Sequence, residues 1–196
     1  MIKYPNGQEY KPNAKKVRKT KADISFSSAN RGMDFENDIN LSNEYYRDKG
    51  ICLITKRPTP INIVKVDYTK GAKITNAYFE KQSTTDYNGV YKGRYIDFEA
   101  KNTKSNTAFP LSNISEHQIV HLKNVLKHGG IAFFIISFQM KDEIYLLDAS
   151  FVINFYEHGD RKSIPYEVFT KDAVLIKQDY APRLHYLDAV DQLYFK

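Results

Sequence analysis

Apolar and polar positions change period along the chain, and each change marks an element. From Asn30 to about Lys49 the spacing predicts a helix in which Phe35, Ile39 and Tyr46 share one face. Asn30 suits its N-cap, Asp34 and Glu36 its first turns, and Gly50 its end. Ile51 to Thr55 is a short apolar run, stopped by Arg57-Pro58-Thr59-Pro60. Ile61 to Tyr68 reads as a strand, Thr69 to Ala72 as a turn and Ile74 to Phe79 as a returning strand, which together predict a hairpin arm. Gln82 to Tyr87 and Tyr95 to Lys101 read as two more strands, with a turn signal at Asn88-Gly89 between them. Ser115 and Gln118 fit a capping box that opens a helix to His128, with Ile119, Leu122 and Leu126 as its apolar stripe and Gly129-Gly130 after it. Ile131 to Phe138 reads as a continuous apolar strand but for Ser137, as for a central strand covered on both faces. Ile144 to Leu147 reads as the next strand, Val174 to Ile176 as a small one, and Leu187 to Phe195 has helical spacing. The sum is an α/β fold: a mixed sheet flanked by helices, with a β-hairpin projecting at about residues 60–81.

Composition adds a polarity and an expected compartment. A length of 196 residues suits one domain. Residues 1–29 read as a flexible basic tail, with Lys15, Lys16, Arg18, Lys19 and Lys21 close together and little apolar surface to offset ordering. Residues 30–196 are then the folded domain. A net charge of +6 favours a polyanionic partner, because Lys and Arg contacts to phosphate supply most sequence-independent affinity. The single cysteine, Cys52, lies in an apolar run and reads as a small buried hydrophobe in a reducing, cytoplasmic setting. No apolar run is long enough to span a bilayer and the N-terminus lacks a signal-like apolar region, so neither membrane insertion nor secretion is expected.

The candidate chemistry sits mid-chain. Glu99 and Lys101 share a strand face, since side chains alternate with period two. Thr84 and Asp86, read as strand residues, share another. Laid side by side, the two segments bring together two carboxylates, a hydroxyl and an ammonium. Carboxylate and neutral oxygens suit Mg²⁺ or Mn²⁺, and a lysine beside such a metal suits charge building on phosphate. This is the pattern of a metal-dependent nuclease, in which Asp86, Glu99 and Lys101 are the catalytic candidates. Phe98 and Ala100 alternate with the charged residues and point to a buried opposite face. Asp97 shares the face of Glu99 and is a rival ligand, or else it caps the strand or pairs with Arg94. Gln118 is either a helix cap or a neutral oxygen ligand. Thr84 is either an ordinary strand threonine or a ligand. His117 and His121 have the spacing of a zinc pair, but no third ligand is evident and zinc is disfavoured. Lys65, Lys70, Lys73 and Lys81 decorate the arm, Tyr78 and Phe79 offer flat faces, and Lys92 and Arg94 place charge in the connection before Glu99. Arg31 could hold phosphate.

These residues also carry a resemblance. Tyr4-Pro5-Asn6-Gly7, Asn30-Arg31-Gly32-Met33, Lys56 to Pro60, Ser83 to Gly89, Tyr91 to Lys101, His117-Gln118, Tyr180-Ala181-Pro182-Arg183 and Gln192 to Phe195 together resemble the RecU-type Holliday junction resolvases of the PD-(D/E)xK nuclease superfamily. The resemblance runs nearly the whole length. It implies a restriction-endonuclease-like core and a homodimer that cuts four-way DNA junctions symmetrically with Mg²⁺, for which Mn²⁺ can substitute. It implies a metal site of Thr84, Asp86, Glu99 and Gln118, with Lys101 stabilising the transition state, and an arm that acts as a stalk entering the junction. It further implies recombination and repair in the nucleoid, beside a recombinase and branch-migration proteins. Two rivals stand against it: a non-catalytic junction-binding regulator of the recombinase, and a restriction-type enzyme that cuts duplex.

Overall fold

The computed structural model describes residues 21–79 and 84–195, with side chains from Phe35 onward. The chain divides into two units, Met1–Arg31 and Gly32–Lys196. Of the first, only helical backbone from Lys21 is described, so the expected basic tail lies largely outside the described residues. The second unit carries everything that follows.

Its centre is a six-stranded sheet. Strands β1 (Cys52–Lys56), β4 (Tyr87–Tyr91), β5 (Arg94–Thr103), β7 (Ile131–Phe138), β8 (Glu143–Asp148) and β10 (Val174–Leu175) lie in that order. All neighbours are antiparallel except β5 and β7, which are parallel and joined through helix α2 (Glu116–Lys127). The β7 strand, apolar but for Ser137, is the middle of a three-layer structure, and all eight of its residues are buried. Ile131, Phe133 and Ile135 face a core shared with α1 (Lys21–Asp48) and α5 (Tyr186–Tyr194). Ala132, Phe134, Ile136 and Phe138 face a second core shared with α2, α3 (Ala149–His158) and α4 (Tyr166–Asp172). The predicted face of Phe35, Ile39 and Tyr46 is buried in the first core, and a Schellman closure at Gly50 ends α1. The helix does not start at Asn30, however. It is already helical at Lys21, because Asn30 and Gly32 are tolerated within it at a cost of about 1 kcal/mol for the glycine.

Two more expectations change. Asn88 and Gly89 lie inside β4 rather than in a turn. A side chain at Gly89 would put its Cβ 2.0 Å from the Leu53 carbonyl, so this glycine is there for the close approach of β1. The hairpin turns instead at Lys92-Gly93, whose φ values of 47° and 75° close a two-residue loop between Tyr91 and Arg94. Thr84 to Asp86 are not strand but an irregular approach to β4. Cys52 is half-buried, and burial pushes its thiol up to about 11, which suits the expected inert role.

The arm forms as predicted. Among the described residues, strands β2 (Ile61–Asp67) and β3 (Lys73–Phe79) pair only with each other, with Ile61 opposite Phe79 and Asp67 opposite Lys73. At strand rise, seven residues extend roughly 23 Å. A small hairpin-like pair, β6 (Ala108–Pro110) with β9 (Ser163–Pro165), closes the α2 side. Among the described residues no helix is long and apolar enough to cross a membrane.

Candidate active site

Asp97, Glu99 and Lys101 leave β5 on the α2 side of the sheet, in register with Ala132, Phe134 and Ile136. That face is not open. Asp97 and Glu99 are both 0% exposed, while Phe98 on the opposite face stacks between Tyr87 and Phe133. Helix α2 covers the sheet up to β5. Beyond it, Leu53, Val90 and Tyr95 form an exposed row across β1, β4 and β5. The carboxylates therefore stand at the border between covered and uncovered sheet.

Asp86 reaches this border from the irregular segment before β4. Its N–H donates to Glu99 Oε2 at 3.2 Å, and its own Oδ2 accepts from the Ala100 N–H at 3.3 Å. The Lys101 ammonium sits 2.7 Å from Glu99 Oε1. Burial, then the neighbouring Asp86 charge, pushes the Glu99 carboxyl up to about 8, while Lys101 opposes the rise. A buried and a half-buried carboxylate that resist sharing negative charge, with oxygen atoms as donors, fit a hard divalent cation. Among the described residues, no three His, Cys, Asp or Glu side chains converge as a metal cluster, so the charged part of any such site is the Asp86–Glu99 pair.

Gln118 takes its anticipated capping role and also touches the centre, though not through its oxygen. Its Oε1 accepts from the Ser115 N–H at 3.0 Å, the capping arrangement, and its Nε2 donates to Glu99 Oε1 at 2.6 Å. As it stands it presents an N–H₂, not an oxygen, to the centre. Turning the amide toward a cation would give up the cap. Thr84 is half-buried in the approach segment.

Asp97 is the residue that sequence reasoning placed least well. It does not pair with Arg94, whose guanidinium donates to the Gly129 carbonyl instead. Its Oδ2 accepts from Arg57 Nη2 at 2.6 Å and from the Tyr95 hydroxyl at 2.7 Å, and lies 2.9 Å from His121 Nε2. Its Oδ1 accepts from the Thr85 hydroxyl. Arg57, Thr85, Tyr95 and His121 were not anticipated. Two signals stood in the sequence: His121 follows Gln118 by three residues and shares its helix face, and Tyr95 precedes Asp97 by two and shares its strand face. His121 is thereby engaged by a carboxylate rather than paired with His117 for zinc.

The nucleic-acid candidates divide. On the arm, Lys65, Lys70 and Lys73 are exposed, and Tyr78 and Phe79 are 60% and 79% exposed rather than packed at its base. Lys92 and Arg94 have partners within the chain. Lys92 pairs with Asp191 at 2.7 Å and lies over the Tyr91 and Phe195 rings, and Arg94 lies over Phe195 as well as bonding Gly129. The side chain of Arg31 and all of Lys81 lie outside the described residues.

With this geometry in place, comparison with known proteins is direct. The family profile described as Recombination protein U matches residues 30–192. A protein named Holliday junction resolvase RecU from Geobacillus kaustophilus is 53% identical, over 99% of this chain and 98% of its own length. One of the same name from Lactococcus lactis is 48% identical, over 98% of each. A looser likeness, with a TM-score of 0.43 and 13% identity over 70% of this chain and 91% of the other, is to Archaeoglobus fulgidus Hjc, a Holliday junction resolvase. The chain belongs to the RecU family, whose curated relatives along the full length of this sequence are Holliday junction resolvases.

Proposed function

We propose that this chain cuts four-way DNA junctions by Mg²⁺-dependent phosphodiester hydrolysis, with Asp86 and Glu99 holding the cation and Lys101 acting on the reacting phosphate. The observation that carries the reading is half-buried Asp86 set against buried Glu99, with Lys101 on Glu99. Mg²⁺ held there would supply Lewis-acid chemistry, polarising a phosphoryl oxygen and easing deprotonation of the attacking water; Mn²⁺ suits the same oxygens. Lys101 is poised at the rim of this pair, 22% exposed, and stabilises charge developing on phosphate. Gln118 orients Glu99, and Thr84 together with a turned Gln118 amide would be the neutral oxygens that complete the set.

The arm supplies the branched-substrate part of the reading. Its lysines neutralise converging phosphates and its exposed rings stack on unpaired bases at a junction centre. Cutting two symmetric strands needs two such centres related by a two-fold axis, so the acting species is a homodimer. Its setting is cytoplasmic and nucleoid-associated, beside the recombinase and the branch-migration proteins that handle the same intermediate.

Incubating the full chain with a synthetic four-way junction and a matched duplex, with and without Mg²⁺, tests this. Paired nicks in the junction alone, only with metal, are expected. Tight binding with no cleavage in Mg²⁺ or Mn²⁺ would make the protein a non-catalytic junction binder, and equal cutting of duplex would make it a restriction-type enzyme.

A further inference from the structure

We infer that Asp97 is not a metal ligand but the positioning residue of this centre, holding Asp86 and Gln118 in place against Glu99. The inference rests on the metal-nuclease reading above. A carboxylate offers about four lone-pair sites. Asp97 has four partners, Thr85, Arg57, Tyr95 and His121, in a fully buried position. Oδ2 takes three of them and Oδ1 the fourth, so its charge is already answered within the protein by Arg57 and by hydrogen-bonding partners on both oxygens.

Those partners lead back to the two parts of the centre that β5 does not itself carry. The first is the Asp86 segment. It has no ladder of its own until Tyr87, so its position depends on tethers. Thr85, directly before Asp86, is tied to Asp97 by its hydroxyl. Directly at Asp86, the carbonyl accepts from the Arg57 N–H at 2.7 Å, and the guanidinium of that same Arg57 is held by Asp97. These two tethers thus end on one carboxylate, and they add to the bonds that Asp86 itself makes to Glu99 and the Ala100 N–H. The second part is α2. Gln118 and His121 stand on one face of it and make matching contacts to β5, Gln118 to Glu99 and His121 to Asp97. The second contact fixes how far along β5 the helix, and with it Gln118, is seated. Groups that orient metal ligands in this way typically change metal affinity about 10- to 100-fold when removed.

Thr85→Val keeps the shape and removes the tether, Thr85→Ser keeps the hydroxyl, and Asp97→Asn removes the charge. Mn²⁺ binding to the DNA-free protein is measured by calorimetry, alongside the melting temperature, junction affinity without metal, and the Mg²⁺ dependence of cleavage. Thr85→Val is expected to bind Mn²⁺ about 10- to 100-fold more weakly and to need correspondingly more Mg²⁺ for half-maximal cleavage. It should keep its melting temperature and junction affinity, and Thr85→Ser should restore wild-type behaviour. Asp97→Asn should weaken Mn²⁺ binding at least as much; if it does not fold, Thr85→Val decides alone. Thr85→Val with wild-type Mn²⁺ affinity overturns the inference, most clearly if Asp97→Asn has lost Mn²⁺ binding, since Asp97 would then be a ligand. A wild-type protein that binds no Mn²⁺ overturns the metal reading itself, which is a different result.

Discussion

The six-stranded sheet and the two-stranded arm are built from similar residues and end in opposite states. In β7, Phe133 and Phe134 are fully buried, each in its own core, and the strand is covered on both faces. In the arm, Ile63, Val64, Tyr68, Tyr78 and Phe79 are all more than half exposed. The sheet uses its apolar surface to hold itself together. The arm uses almost none of its own, and a lone two-stranded hairpin is marginal in water. The arm's rings and lysines are therefore arranged for something outside the chain, whereas the site carboxylates are arranged by the sheet.

That division can be attacked from both sides. Glu99→Gln keeps the size of the side chain and removes its charge. Cleavage is expected to fall on the order of 10³-fold or more, because a catalytic metal contributes several kcal/mol to the transition state, while junction affinity should stay unchanged. Single-turnover cleavage and fluorescence anisotropy measure the two separately. Phe133→Ala removes a ring stacked 4.8 Å from Phe98, and should cost about 3–5 kcal/mol in denaturant unfolding. Tyr78→Ala and Phe79→Ala should leave that unfolding free energy alone. Each should weaken junction binding by about 1–3 kcal/mol, and duplex binding by less. Equal losses on junction and duplex would remove the arm as the junction reader. The finest test uses one substitution at two turns. Gly93 and Gly71 both have positive φ and open space around them. Gly93→Ala, in the sheet, should lower global stability by about 1–2 kcal/mol. Gly71→Ala, at the arm's tip, should strain only the arm and leave global stability as it was.

The sequence showed most where information was local. The apolar run of β7, the alternation of β2 and β3, the capping pair Ser115 and Gln118 and the shared face of Glu99 and Lys101 all depend on neighbours within a few positions. It misled where a distant segment decides the matter. Asn88-Gly89 has turn chemistry, yet Gly89 answers to a carbonyl on β1, and the turn fell to Lys92-Gly93. Thr84 and Asp86 were expected to share a strand face, but the backbone there is not a strand, and it is the neighbouring Thr85 whose hydroxyl reaches Asp97. Among the partners of Asp97, Tyr95 shares its strand face two residues away, but Arg57 and His121 come from 40 and 24 residues away and local spacing did not join them to it.

The arm's isolation has a consequence for the protein when no DNA is near. Paired only with each other among the described residues, β2 and β3 each leave an outer edge of backbone donors and acceptors without a strand beside it, and such edges recruit other chains into larger sheets. Two features work against that. The pairing slips register on either side of Lys65, which breaks the flatness of the edge, and Lys65, Lys70 and Lys73 place like charges along it. In the free protein these lysines act as gatekeepers of solubility, and exchanging them for threonine would bring self-association before any loss of fold.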